Sequence, residues 1–130
     1  MPQITTYDHG VPWELGHGMT QGYCVNGVIY ISGQFAHDMD GALVGEGDFE
    51  AQVRQALANL DRVLAGFGVG RSNIAEFTIY LTNPTEQLET FGRLFKAYVG
   101  EHRCAATLVG VTSLAFPGQL TEIRAVAHAD

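Results

Sequence analysis

Cationic side chains are scarce in this 130-residue chain. Seven Lys and Arg stand against fourteen Asp and Glu, a formal net charge of −7. Nucleic acid is held by a basic stripe that displaces counterions, so the shortage argues against a nucleic-acid partner. It also disfavours an anionic membrane surface. Cysteine is nearly missing. Cys24 and Cys104 lie far apart and read as two reduced thiols of a cytoplasmic protein, although counting alone leaves one disulfide open. The five histidines (His9, His17, His37, His102, His128) form no HxH or HExxH pattern, and no zinc spacing exists, so no metal site is expected. No window reaches the roughly 18 apolar residues of a membrane span. Met1–His9 lacks the charged start and apolar stretch of a signal peptide. No GxSxG occurs, so no Ser-His-Asp hydrolase is indicated. Low-complexity tracts and linkers are also missing, which leaves a single domain over residues 1–130.

What is present is globular: 46% of the residues are hydrophobic and 16% charged. Sixteen glycines imply many turns. Tyr23-Cys24-Val25 and Val28-Ile29-Tyr30-Ile31 are β-rich runs, and Asn26-Gly27 between them signals a tight hairpin because both positions tolerate positive φ. Asp38 to Gly47 is rich in Gly and Asp and reads as loop. Asp48 is an N-cap for a helix with Phe49, Val53, Leu57, Leu60, Leu64 and Phe67 on one stripe. Gly66 and Gly68 stop it.

Glu76–Leu81 alternates as a strand, with Phe77, Ile79 and Leu81 on one face. Asn83-Pro84, with Glu86 in a capping-box position, opens a second helix with a stripe of Leu88, Phe91, Phe95 and Tyr98. Thr107–Val111 reads as strand and Pro117-Gly118 as turn. Gln119–Ala129 is a last strand with Thr121, Ile123, Ala125 and Ala127 on one face, and Leu120, Glu122, Arg124 and Val126 on the other. The order β-β-α-β-α-β-β predicts an α+β domain with two helices on one face of a mixed sheet. Its other face is partly apolar and uncovered, which favours self-association.

Three stretches carry a resemblance: Val28-Ile29-Tyr30-Ile31-Ser32-Gly33-Gln34, Gln52 to Leu60, and Leu120-Thr121-Glu122-Ile123-Arg124-Ala125-Val126-Ala127. In this order and near this spacing, the chain resembles the RidA/YjgF family, also labelled endoribonuclease L-PSP-like, from about Gly16 to Ala127. The resemblance implies a chorismate-mutase-like fold and a homotrimer with small-molecule clefts between subunits. It implies hydrolysis of reactive imines and enamines to a keto acid and ammonia, with no cofactor, because an iminium is already electrophilic.

It also implies site residues. Glu122 matches the glutamate that orients and deprotonates water, and an ordinary strand glutamate paired with Arg124 is the plainer reading. Ser32 and Gly33 match the segment lining the cleft. The family's carboxylate-binding arginine falls on Ala106 when aligned from Leu114, with Arg103 the nearest candidate. The resemblance is thus to a branch lacking that arginine. The family's pocket tyrosine falls near Met19, and a helix asparagine falls on Gly92. Cys104, beside Arg103 and His102, is a candidate activated thiolate, against the reading of a small buried apolar residue. His37 is a candidate acid or base, against a surface-loop histidine. Two functions compete: an imine or enamine hydrolase, and a trimer that binds a small ligand without turnover. The ribonuclease label fits poorly with the acidic charge.

Overall fold

The fold is described from a computed structural model covering residues 2–130. A six-stranded sheet is covered on one face by two long helices. The strands are β1 (Ile4–Tyr7), β2 (Gly22–Val25), β3 (Val28–Gln34), β4 (Ile74–Leu81), β5 (Ala105–Gly110) and β6 (Thr121–His128). The helices are the one-turn α1 (Trp13–Gly16), α2 (Phe49–Gly66) and α3 (Pro84–Val99), with a 3₁₀ turn at Arg71–Asn73. The spatial order is β1-β2-β3-β6-β4-β5, antiparallel except for the parallel pair β4 and β5.

The β2–β3 turn forms as its residues dictate. Asn26 has φ 53° and Gly27 φ 78°, the pair of positive values that a tight hairpin with strand-matching twist requires. The alternation in β4 and β6 also holds. Phe77, Ile79, Leu81, Ile123, Ala125 and Ala127 are buried against the helices. Glu122, Arg124, Tyr80 and Thr78 lie on the opposite face, in register as Tyr80↔Glu122 and Thr78↔Arg124. Each fully buried Ile, Leu or Phe of this layer stabilises the fold by about 1.5–3 kcal/mol.

Three details differ from the pattern in the sequence. Ile4–Tyr7 pairs with β2 as an extra edge strand; it is too polar and short to announce itself by alternation. Leu88 is 53% exposed, while Gln87 and Leu94 are buried. The cause is the cap. Asn83 makes no side-chain cap bond, and the Glu86 capping box does not form. Instead the Gln87 side chain accepts from the Asn83 backbone N–H (2.8 Å) and donates to Thr82 Oγ1 (3.1 Å). Turning Gln87 inward rotates Leu88 out.

α2 buries two amides one heptad apart. Gln52 is 0% exposed; its Nε2 donates to the carbonyls of Gly45 (3.1 Å) and Gly118 (3.0 Å), and its Oε1 accepts from Leu120 N–H (2.8 Å). Asn59 Nδ2 donates to the carbonyls of Phe35 and His37. These bonds fasten the loops on either side of the site to the helix. Gln52→Leu keeps the bulk but orphans three backbone groups, each costing about 1–3 kcal/mol when buried. We expect urea unfolding to show a loss of about 2–4 kcal/mol after partial relaxation, with the far-UV spectrum retained.

Candidate functional site

The ladder between β3 and β6 breaks its register between Ile31 and Gln34. Ile31 faces Ala125 while Gln34 faces Ile123, so β3 holds one residue more than its partner. This bulge contains Ser32 and Gly33, and it re-aims the backbone toward Glu122. A Cβ on Gly33 would sit 2.5 Å from Glu122 Oε2 and 2.6 Å from its Cδ. Only glycine lets the carboxylate lie against the chain at this point.

On its other side the carboxylate is held by Gln119. The buried Gln119 amide donates to Glu122 Oε1 (3.2 Å) and to the Thr121 carbonyl (3.1 Å), and its oxygen accepts from Phe116 N–H (3.2 Å). Arg124 does not pair with Glu122; its contact is with Glu76 on β4, at 3.6 Å. Glu122 is therefore a half-buried carboxylate, clamped between a glycine bulge and a side-chain amide.

The segment Met19–Gln21 adjoins this bulge. Ser32 Oγ donates to the Thr20 carbonyl (2.7 Å), and Ser32 N–H donates to that of Gln21 (2.8 Å). A buried polar chain stands behind it. Gln34 Nε2 donates to the Ser32 carbonyl (2.9 Å) and to Gln21 Oε1 (2.8 Å). A carbonyl can only accept, so the amide orientation is fixed and Gln34 Oε1 must accept from His9 Nε2–H (2.8 Å). His9 Nδ1 then faces the Tyr7 hydroxyl at 3.4 Å. The His9, Gly10 and Val11 backbone N–H groups all donate to the buried Glu14 carboxylate, at 2.8–3.1 Å.

His37 is not a surface-loop residue. It is 1% exposed, with Nδ1 2.7 Å from the Asp38 carbonyl and its ring against Trp13, Phe35 and His9. Its position belongs to an aromatic core beside the bulge. No local pattern in the sequence marks Gln119 or His9 as a site residue. Only Gln34 carried a signal, as the last residue of the Ser-Gly-Gln run.

The other candidates lie elsewhere. β4 separates β6 from β5, so Ala106 is about 10 Å across the sheet from the strand of Glu122. Its register with Phe77 puts it on the opposite face. Arg103 is exposed in the α3–β5 loop. Cys104 packs against the core, and burial pushes its thiol above the ordinary range, opposite to what an activated thiolate needs. Gly92 is exposed on α3. Cys24, on β2, and Cys104, flanking β5, are four strand spacings apart, about 19 Å, too far for a disulfide. Among the described residues, no three His, Cys, Asp or Glu side chains come together as a metal site.

A bulged β3 against a glutamate-bearing β6 in an α+β sheet defines a class that comparison makes specific. The family model described as Endoribonuclease L-PSP matches residues 16–129, and the chain belongs to that family. A RutC family protein of Aquifex aeolicus (strain VF5) is 32% identical over 105 residues, 79% of this chain and 82% of the relative. The 2-iminobutanoate/2-iminopropanoate deaminase of Homo sapiens is 29% identical over 108 residues, 83% of this chain and 77% of the relative. The crystal structure of YyfA from Yersinia pestis, a Rid-family protein described as of unknown function, superposes with a TM-score of 0.87 at 31% identity. That match covers 97% of this chain and 99% of the other. The fold class and family expected from the sequence are those found, and the family includes deaminases of imines.

Two outcomes follow. Gly33→Ala should leave the fold intact, since the Glu122 side chain can swing away, but it should displace the carboxylate. We expect a change in melting temperature of only a few degrees, with ligand affinity or turnover at the site reduced about tenfold or more.

The second outcome concerns pH. Burial pulls the His9 pKa below 6.5; the Gln34 bond and Glu14 oppose the shift, and His37 and Arg62 add to it. The folded state thus takes up its proton at lower pH than the unfolded state. Above pH 6.5 both are neutral and His9 contributes no pH dependence. As pH falls from 6.5 through the folded pKa, stability is lost. Urea midpoints between pH 7.5 and 5 should decline less steeply for His9→Gln than for the wild type.

Proposed function

We propose that this protein hydrolyses a reactive imine or enamine, with Glu122 as the group that positions and deprotonates water. The observation that carries the reading is the Gly33–Glu122–Gln119 clamp. An amide donor fixes one carboxylate oxygen, and the bulge holds the other against the backbone. A carboxylate held in this way can take a proton from a water placed over an iminium carbon. Addition gives a carbinolamine; transfer of the proton to nitrogen and loss of ammonia leave the ketone. Ser32 and Gly33 line the cleft in this reading, and Met19 borders it. The reaction requires no cofactor.

Within one chain the site is half built, because Ala106, Arg103 and Cys104 lie away from Glu122. In our reading a homotrimer completes it, with β5 of one subunit meeting the Glu122 face of the next. All six β5 residues are exposed, and Tyr23 and Tyr30 lie exposed on the Glu122 face, which supports such a covering. Ala106 favours a second reading, a trimer that binds a small metabolite without turnover. An alanine offers no fork for a substrate carboxylate.

An amino acid oxidase supplying 2-imino acids from a panel of amino acids, with semicarbazide trapping, separates the readings. The enzyme reading expects shortened imine lifetimes and a loss of about 10²–10⁴-fold in Glu122→Gln. If no imine is accelerated across the panel, ordinary 2-imino-acid deamination is rejected. Sedimentation equilibrium tests the trimer.

A further inference from the structure

Three of the chain's seven cationic residues line a single groove. Arg54 of α2, Arg93 of α3 and Arg71 of the 3₁₀ turn surround a cavity of about 330 Å³ between the two helices, on the solvent side of the helix layer. Its remaining lining is Leu57, Ala58, Leu94, Ala97, Tyr98 and Asp61. Ala58 and Ala97 are small, and this leaves the depression open down to the buried Leu57 and Leu94.

The two ends differ. At one end Arg71 is fixed. Its Nε and one terminal nitrogen bind Asp61 at 3.1 and 2.8 Å; the other terminal nitrogen donates to the Tyr98 carbonyl at 3.0 Å. Its guanidinium lies 4.0 Å over the Tyr98 ring, and the Tyr98 hydroxyl donates to Asp61 at 2.7 Å. This cation is matched by its own carboxylate. At the other end two cations share one anion. Arg54 reaches Glu50 Oε2 through Nε (3.1 Å) and a terminal nitrogen (2.9 Å), and Arg93 reaches Oε1 at 2.9 Å. One unit of positive charge is left unmatched beside an apolar floor, in a chain that is otherwise strongly acidic. Arg93 spends a single N–H of its five on Glu50. Such a groove suits a ligand with an apolar body and one negative charge. A dianion would over-match the single excess charge.

We propose that this groove is a second binding site, for a small amphipathic monocarboxylate. Its apolar body lies over Ala58 and Ala97, and its carboxylate sits at the Arg54–Arg93 end. The site is separate from Glu122, which lies on the far side of the sheet, and does not depend on the reading proposed for that residue.

Amide-resolved NMR titration of the full chain with 3-phenylpropanoate tests it, with 3-phenylpropanamide as the neutral probe. The expected result is saturable shifts confined to residues 54–61 and 93–98. The amide probe and Arg93→Gln should each bind at least tenfold more weakly. Ala97→Leu, which fills the groove at an exposed helix position and leaves the charges in place, should abolish the shifts. Glu122→Gln should leave them unchanged. Absence of saturable shifts, equal binding of acid and amide, indifference to Arg93→Gln, or shifts centred on Gly33 and Glu122 would each overturn the proposal.

Discussion

Two buried side-chain amides on α2 hold together what the hydrophobic layer alone would leave loose. The sheet and helices bury their apolar faces non-directionally, and that burial would tolerate sliding of the connecting loops. Gln52 and Asn59 remove this freedom. Between them they bond the backbone at Phe35, His37, Gly45, Gly118 and Leu120. The first of these points, Phe35, is two residues from Gly33, and the last, Leu120, is two residues from Glu122. The helix thus serves as a rigid ruler against which the bulge and the glutamate strand are set. A polar residue fully satisfied in this way specifies geometry more than it adds net stability.

The geometry so fixed is asymmetric. One half of the candidate site, from Met19 through Ser32 and Gly33 to Glu122, is assembled within a chain and backed by the Gln21–Gln34–His9 relay. The remaining sequence candidates, Arg103, Cys104 and Ala106, lie on or just before the exposed edge strand β5, across the sheet. In the reading proposed for Glu122, a second chain brings the two halves together, and the uncovered sheet face then has a functional meaning as well as an energetic one.

Much of this was legible in the residues. Asn26-Gly27 set the hairpin, the β4 and β6 alternation set which face Glu122 takes, and Asp48 set where α2 begins. The three family-like stretches gave the fold, and Gln52–Leu60 was visible as a pattern before its cause was. What could not be read has a common physical reason. The Gln87 cap, the Gln119 clamp and the His9–Gln34 bond are single polar contacts between distant or buried groups, and they leave no periodicity behind. Ile4–Tyr7 is a strand only because β2 offers it an edge. His37 is buried because Trp13 and Phe35 close over it, which no local pattern encodes. The acidic total also concealed the arginine-lined groove, since charge summed over a chain says nothing about where it gathers.

The strand order has a temporal consequence. β6 follows every other strand in the chain, yet it lies at the centre of the sheet, hydrogen-bonded to β3 on one side and to β4 on the other. Without Thr121–His128, β1–β3 and β4–β5 have no strand pairing between them. Vectorial synthesis therefore cannot complete this domain by increments. Folding waits for its keystone, and with it arrives Glu122, so that the clamped carboxylate and the closed sheet come into being in one event.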